Sequence, residues 1–123
     1  MNKKTKIAIN GFGRIGRNLF RLLLNHPTIE VVAINDIADT KTMAHLLKYD
    51  SIHGVLPNKV SADEKGILVE EDHFLFFHEK QISNLDWKSL DIDYVIESTG
   101  KYKTHEELNA HIIAGAKTVI LSA

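Results

Sequence analysis

The chain has 123 residues, 44% hydrophobic and 25% charged, with a formal net charge of −1; that is room for one core and not two, and the composition of a folded chain rather than a disordered one. A near-neutral balance whose only arginines, Arg14, Arg17 and Arg21, sit near the first turn argues against a nucleic-acid footprint, and no apolar stretch approaches the roughly 20 residues of a membrane span. The start "MNKKTK" carries no apolar signal segment, which makes the cytoplasm the expected location, and the absence of cysteine excludes disulfides, thiolate metal sites and thiol nucleophiles within the chain.

Taken in order, residues 6–10 alternate Ile7 and Ile9 with smaller or polar positions, as a buried first strand does. Three glycines follow, and then Ile15, Leu19, Leu22 and Leu23 recur at helical spacing, which predicts those four as the inward stripe of a helix ended by Asn25 and Pro27. "IEVVAIN" at 29–35 is a continuous β-branched apolar run, the mark of a strand covered on both faces in a parallel sheet. The spacing predicts a short helix over 42–48 with Met43, Leu46 and Leu47 inward. "HGVLPNKV", with Gly54 and Pro57, is expected to be loop. "GILVEEDHFLFFHE" reads as two β-rich pieces around a tip at Glu70, Glu71 and Asp72, a hairpin inserted before the next parallel strand at 93–99. A helix over 106–114 behind the N-cap Thr104 and a final strand beginning at Lys117 complete the chain. The alternation is that of an α/β, Rossmann-type doubly wound domain over 1–123, with a mostly parallel sheet and its binding crevice at the strands' carboxyl ends.

Gly11, Gly13 and Gly16 form G-x-G-x-x-G directly after a strand and at the opening of a helix. The first permits a tight turn, the second lets a pyrophosphate approach the backbone, and the third lets helix and strand touch. The helix start supplies unpaired N–H groups and a partial positive charge, which suits a diphosphate. Such a motif is weak alone. Its second requirement is an acid at the end of the following strand, about 20 residues on, and Asp36 stands there. Its carboxylate would accept from both hydroxyls of an adenosine ribose and would repel a 2′-phosphate, so NAD is expected in preference to NADP.

Four separated segments, "INGFGRIGRN", "HLLKYDSIHG", "ESTG" and "GAKTVILSA", resemble phosphorylating glyceraldehyde-3-phosphate dehydrogenase across the whole chain. The resemblance implies the NAD-binding half of a cytoplasmic, homotetrameric glycolytic oxidoreductase that acts on an aldehyde phosphate. Carried over by position, it assigns the pyrophosphate to Arg14 and Ile15 through backbone N–H groups, with Asn10, Gly11, Phe12, Gly13 and Gly16 completing the corner. Asp36 takes the ribose, Thr99 and Gly100 lie under the adenosine and pyrophosphate, Tyr102 forms an aromatic wall, and Ser122 lies beside the nicotinamide end. Lys80 stands seven residues before Trp87, where family members commonly carry arginine; lysine keeps the charge without the planar fork. In the family the nucleophilic thiol, its activating histidine and the phosphate-binding residues lie beyond the strand ending at Ala123. This chain, truncated in that view and without a catalytic domain, is expected to bind dinucleotide without catalysis, to take NAD and AMP weakly with no preference for NADP, and to self-associate. "MAHLLKYD" and "LFFHEK" also resemble erythrose-4-phosphate dehydrogenases. A stand-alone NAD-binding or sensing module is the competing class.

Other residues invite functions the spacing does not support. His45 and His53 are too far apart for one helical turn, and His73, His78, His105 and His111 read as solvated positions in turns or on helix faces, so no metal site is expected. Phe74, Phe76 and Phe77 read as strand packing, Glu106 and Glu107 as acids at a helix start, and Ser51 and Ser98 lack a base for a triad.

Overall fold

A computed structural model of the chain describes residues 3–50 and 54–122, so Ser51, His53 and Ala123 lie outside the described residues. The strands are β1 (Thr5–Asn10), β2 (Ile29–Asn35), β3 (Tyr49–Asp50), β4 (Gly54–Val55), β5 (Val60–Ala62), β6 (Gly66–Val69), β7 (Asp72–Phe77), β8 (Tyr94–Glu97) and β9 (Thr118–Leu121). The helices are α1 (Arg14–Leu23), α2 (Thr40–Lys48) and α3 (His105–Ile113), with a 3-10 turn at Ile82–Asn84. Seven strands form one sheet in the order β5-β6-β7-β2-β1-β8-β9. From β7 to β9 every pairing is parallel, while β5, β6 and β7 form an antiparallel meander. The hairpin expected from "GILVEEDHFLFF" is present, yet its second strand is itself a parallel member of the sheet, paired to β2.

The sheet is apolar on both faces. Ile7, Ile9, Ile34, Phe76 and Ile96 point to one side and meet Phe20 of α1 and Met43, Ala44 and Leu47 of α2. Ala8, Ala33 and Val95 point to the other, under Trp87, Ile92, Ala110 of α3 and Ala114 just after it. Phe12 sits edge-on between Phe20 and Phe76, a packing mode that suits the opposed charge of ring face and edge. The α1 stripe differs from the sequence expectation: Gly16 and Phe20 are buried with Leu19 and Leu23 packed beside them, whereas Ile15 and Leu22 are exposed. Gly16 decides that phase, because the helix rests on the Gly11 carbonyl there, and the buried stripe must run 16, 19, 20, 23. The expected loop at Gly54 is corrected too. Gly54–Val55 pairs antiparallel with Tyr49–Asp50, and Arg21 of α1 ties this small ribbon down by donating to the Leu47 and Gly54 carbonyls at 2.6 and 2.9 Å.

One irregularity sets the site. Ile7 pairs with Val31 but Ala8 pairs with Ala33, so Val32 is an extra residue in β2. Beyond it, Ala33 joins the α3 face and Ile34 the α1 face. The slip brings Asn35 level with Asn10 at the carboxyl end, where the Asn35 Nδ2 donates to Asn10 Oδ1 at 2.8 Å.

Candidate functional site

The chain leaves β1 to build β2 and β7 on one side of it, then returns to place β8 on the other. At that reversal the loops after β1 and β8 diverge and open a crevice at the strands' carboxyl ends, the place where open α/β sheets bind ligands. A cleft of about 420 Å³ lies there, lined among others by Asn10, Gly11, Gly13, Asp36, Lys80, Thr99 and Tyr102. Seven of the residues singled out in the sequence thus converge, from segments up to 92 positions apart. Asn35, Glu79, Ile82, Ser98 and Lys101 also face it.

The corner between β1 and α1 is stitched from several sides. Gly11 N–H donates to the Asn35 carbonyl at 2.7 Å, and the Ser98 hydroxyl donates to the Gly11 carbonyl at 2.7 Å. Gly11 has φ +100, and a Cβ there would stand 2.7 Å from the Thr99 nitrogen, so both conformation and crowding require glycine. A Cβ on Gly16 would fall 2.3 Å from the Gly11 carbonyl oxygen. Gly13 is different. Its φ of −76 is open to any residue, and nothing in the protein lies within 4 Å of where a Cβ would be. No protein contact calls for glycine at a position that lines the cleft, and a group approaching from the cleft would.

The start of α1 faces the same space. Its own ladder opens with Arg17 N–H donating to the Gly13 carbonyl at 2.9 Å, so the N–H groups of Arg14, Ile15 and Gly16 precede it. Gly13 provides no side-chain cap, and the first turn carries no acid. By contrast, α2 is capped by Asp39 and α3 by a full capping box between Thr104 and Glu107. The uncapped helix is the one that opens on the cleft, and its partial positive charge suits an anion.

Asp36 stands beside that helix tip. Its Oδ2 accepts the Phe12 N–H at 2.7 Å and its Oδ1 the Ala38 N–H at 2.9 Å. Each oxygen keeps a second lone-pair direction, and the carboxylate is held by backbone alone while half exposed. The Tyr102 hydroxyl donates to the Lys80 carbonyl at 3.1 Å, closing the far wall. The other singled-out residues are not among those lining the cleft. The Phe12 side chain is fully buried in the core, leaving only its backbone toward the corner. Arg14 and Ile15 are exposed in the first turn of α1, and Gly100 follows Thr99 in a left-handed turn at φ +77. Ser122 follows β9 and donates its N–H to the Glu97 carbonyl at 3.0 Å.

Beneath the cleft lies a network the sequence reading missed. Glu97 and His111 are both fully buried, with His111 Nε2 2.8 Å from Glu97 Oε1. His111, expected to be solvated, faces the sheet because α3 lays that position against Trp87, whose Nε1–H donates to His111 Nδ1 at 3.0 Å. Burial pushes the Glu97 carboxyl up, but hydrogen bonds from His111, Thr99 and Asn10 together outweigh it and hold the group below the usual range. The signal available in the sequence was an acid inside a β-strand run, Glu97 after "DYVI", which demands a partner wherever the strand is buried. Among the described residues no group of three or more His, Asp or Glu could hold a metal ion, and no helix is long and apolar enough to cross a membrane.

The family profile described as glyceraldehyde 3-phosphate dehydrogenase, NAD binding domain, matches residues 5–105. The chain is 51% identical over 120 residues to glyceraldehyde-3-phosphate dehydrogenase of Thermotoga maritima, covering 96% of the chain and 36% of that protein. It is 49% identical over 118 residues to the enzyme of Geobacillus stearothermophilus, covering 96% of the chain and 35% of the relative. With that of Mycoplasma pneumoniae it shares 48% identity over 122 residues, 99% of the chain and 36% of the relative. The chain therefore spans about a third of the length of these relatives.

Proposed function

The chain belongs to the glyceraldehyde 3-phosphate dehydrogenase family, as its NAD-binding domain, and from that premise we propose that the cleft holds NAD across the carboxyl ends of β2, β1 and β8. The observation that carries this is the joint placement on one cleft of Asp36 and Gly13, the N-cap without a side-chain cap at the start of α1, with Asp36 Oδ2 accepting the N–H of the neighbouring Phe12 at 2.7 Å. The pyrophosphate rests on the N–H groups of Arg14 and Ile15 over the bare face of Gly13. Asp36 accepts from the adenosine ribose hydroxyls with its remaining lone pairs, each bond charge-assisted and worth about 1.5–3 kcal/mol. A 2′-phosphate in that place meets a carboxylate fixed by two backbone donors. Ile82 and Tyr102 offer apolar surface to the adenosine side, with Lys80 at the rim, and Ser122 marks the nicotinamide end.

When bound, NAD supplies a hydride acceptor at its nicotinamide ring. The residues of this chain bind and orient it; the parent activity that the family implies is the oxidation of an aldehyde phosphate coupled to its phosphorylation, in a cytoplasmic, homotetrameric enzyme. The 123-residue chain, having no cysteine, provides no thiol for such a step and is inactive alone. Its exposed Ile120 and Leu121 on the last strand of the sheet, β9, give it a surface for self-association.

Calorimetric titration with NAD, NADP and AMP tests the reading. NAD and AMP bind and NADP binds more weakly; Asp36→Ala lowers NAD affinity about tenfold to a hundredfold and narrows the gap to NADP. Equal binding of NAD and NADP by the unaltered chain would overturn the assignment of Asp36 to the ribose.

A further inference from the structure

The buried network under the cleft has a direction that its donors fix from both ends. At one end Glu79 N–H, which can only donate, meets Asn35 Oδ1 at 2.9 Å. Asn35 Nδ2 must then donate to Asn10 Oδ1 at 2.8 Å, which turns Asn10 Nδ2 toward Glu97 Oε1 at 2.6 Å. At the other end Trp87 Nε1–H, also only a donor, meets His111 Nδ1 at 3.0 Å. His111 Nδ1 is therefore the acceptor and Nε2 carries the proton, donated to Glu97 Oε1 at 2.8 Å. The 3.5 Å approach of Asn10 Nδ2 to His111 Nε2 sets two donors side by side and is no hydrogen bond. Both chains of donors converge on one carboxylate. Its second oxygen accepts the Thr99 N–H at 3.0 Å and the Thr99 hydroxyl at 2.6 Å. Glu97 is thus an ionised hub of four donors, and two of the residues it holds, Asn10 and Thr99, line the cleft.

We propose that Trp87 and His111 form a positioning relay for the cofactor cleft: the indole N–H fixes the Nε2–H form of His111, which locks Glu97 and through it the cleft residues Asn10 and Thr99. The relay rests on the reading of this cleft as a dinucleotide site. Trp87 is fully buried and does not line the cleft, so any effect of its N–H on binding is transmitted through the imidazole and carboxylate. Loss of that N–H lets the ring take the Nδ1–H form, which turns a bare nitrogen toward an ionised oxygen and releases one of its four donors.

The test pairs spectroscopy with titration on the 15N-labelled 123-residue chain. Long-range proton–nitrogen correlation of the His111 ring shows a protonated Nε2 and a bare Nδ1; a protonated Nδ1 in the unaltered chain overturns the relay before any variant is made. Calorimetry with NAD gives His111→Gln, which keeps an N–H near the Nε2 position, an affinity within about threefold of the unaltered chain, and His111→Phe a loss of about tenfold or more. Trp87→Phe, which keeps the aromatic bulk and leaves His111 in place, weakens NAD about fivefold and serves where His111→Phe does not fold. Folded Trp87→Phe and His111→Phe chains that bind NAD like the unaltered one sink the positioning role while leaving the dinucleotide reading intact. An unaltered chain that shows the expected ring form yet takes no NAD sinks the dinucleotide reading, and the positioning role with it.

Discussion

Gly13 and Gly16 are glycines for opposite reasons, and substitution separates them. Gly16→Ala drives a Cβ onto the Gly11 carbonyl oxygen, 2.3 Å away and unable to move without lifting α1 from β1; the loss of stability is about 1–3 kcal/mol or more, read from urea unfolding. Gly13→Ala meets nothing in the protein, and the gain from stiffening the unfolded chain is offset by the preference of an N-cap for glycine over alanine, so stability changes by less than about 1 kcal/mol. NAD affinity falls about tenfold in the same variant, because the new methyl occupies the approach of the pyrophosphate. A Gly13→Ala chain that binds NAD undiminished would remove the diphosphate from this corner. Glu97 adds a pH dependence of defined sign. Its carboxyl is held below the usual glutamate range in the folded chain, against the burial that acts the other way. It therefore stabilises the fold fully above roughly pH 4.3, the unfolded value, and that share is lost as the pH falls through the lower folded value. Glu97→Gln cannot accept from four donors; it costs about 1–3 kcal/mol at neutral pH, and its stability falls less steeply on acidification below about pH 4.

At the scale of the element, α3 is the helix that closes its own ends. Thr104 accepts the Glu107 N–H at 3.1 Å, and the Glu107 side chain returns to the Thr104 N–H at 3.1 Å. The Thr104 N–H and the Thr104 hydroxyl, 2.9 Å from Oε1, both donate to the Glu107 carboxylate and hold it below its usual range. Thr104→Ala costs about 1 kcal/mol in thermal or urea unfolding, with NAD affinity unchanged, since the cap lies outside the cleft. The β2 strand shows what an element hides. Its run "IEVVAIN" is apolar on both faces, so nothing in the order of residues marks where the pairing with β1 slips at Val32. The slip becomes visible only when β1 is laid beside it. It is also what sets Asn35 against Asn10 and delivers Asp36 to the helix tip.

At the scale of the molecule, β9 is the outer strand of the sheet among the described residues, and its Ile120 and Leu121 are 46% and 40% exposed with Ile113 of α3 at 80%. Apolar side chains on an edge strand favour pairing with a second copy. Sedimentation velocity across a concentration series is expected to show a rising weight-average mass, and Ile120→Lys to reduce it; a single monomeric species at all concentrations would count against that face. By itself the sequence determined the α/β winding, the glycine corner, the acid after β2 and the family, since each is written in neighbouring residues: period, spacing and local turn chemistry need no partner. Other features were decided in three dimensions. The phase of α1 followed from where Gly16 touches Gly11, and the ribbon at Gly54 from pairing with Tyr49–Asp50 and the hold of Arg21 on it. The burial of His111 followed from Trp87, 24 positions away. These depend on contacts between segments distant in the chain, where an isolated histidine or an extra valine carries no mark of what packing will place against it.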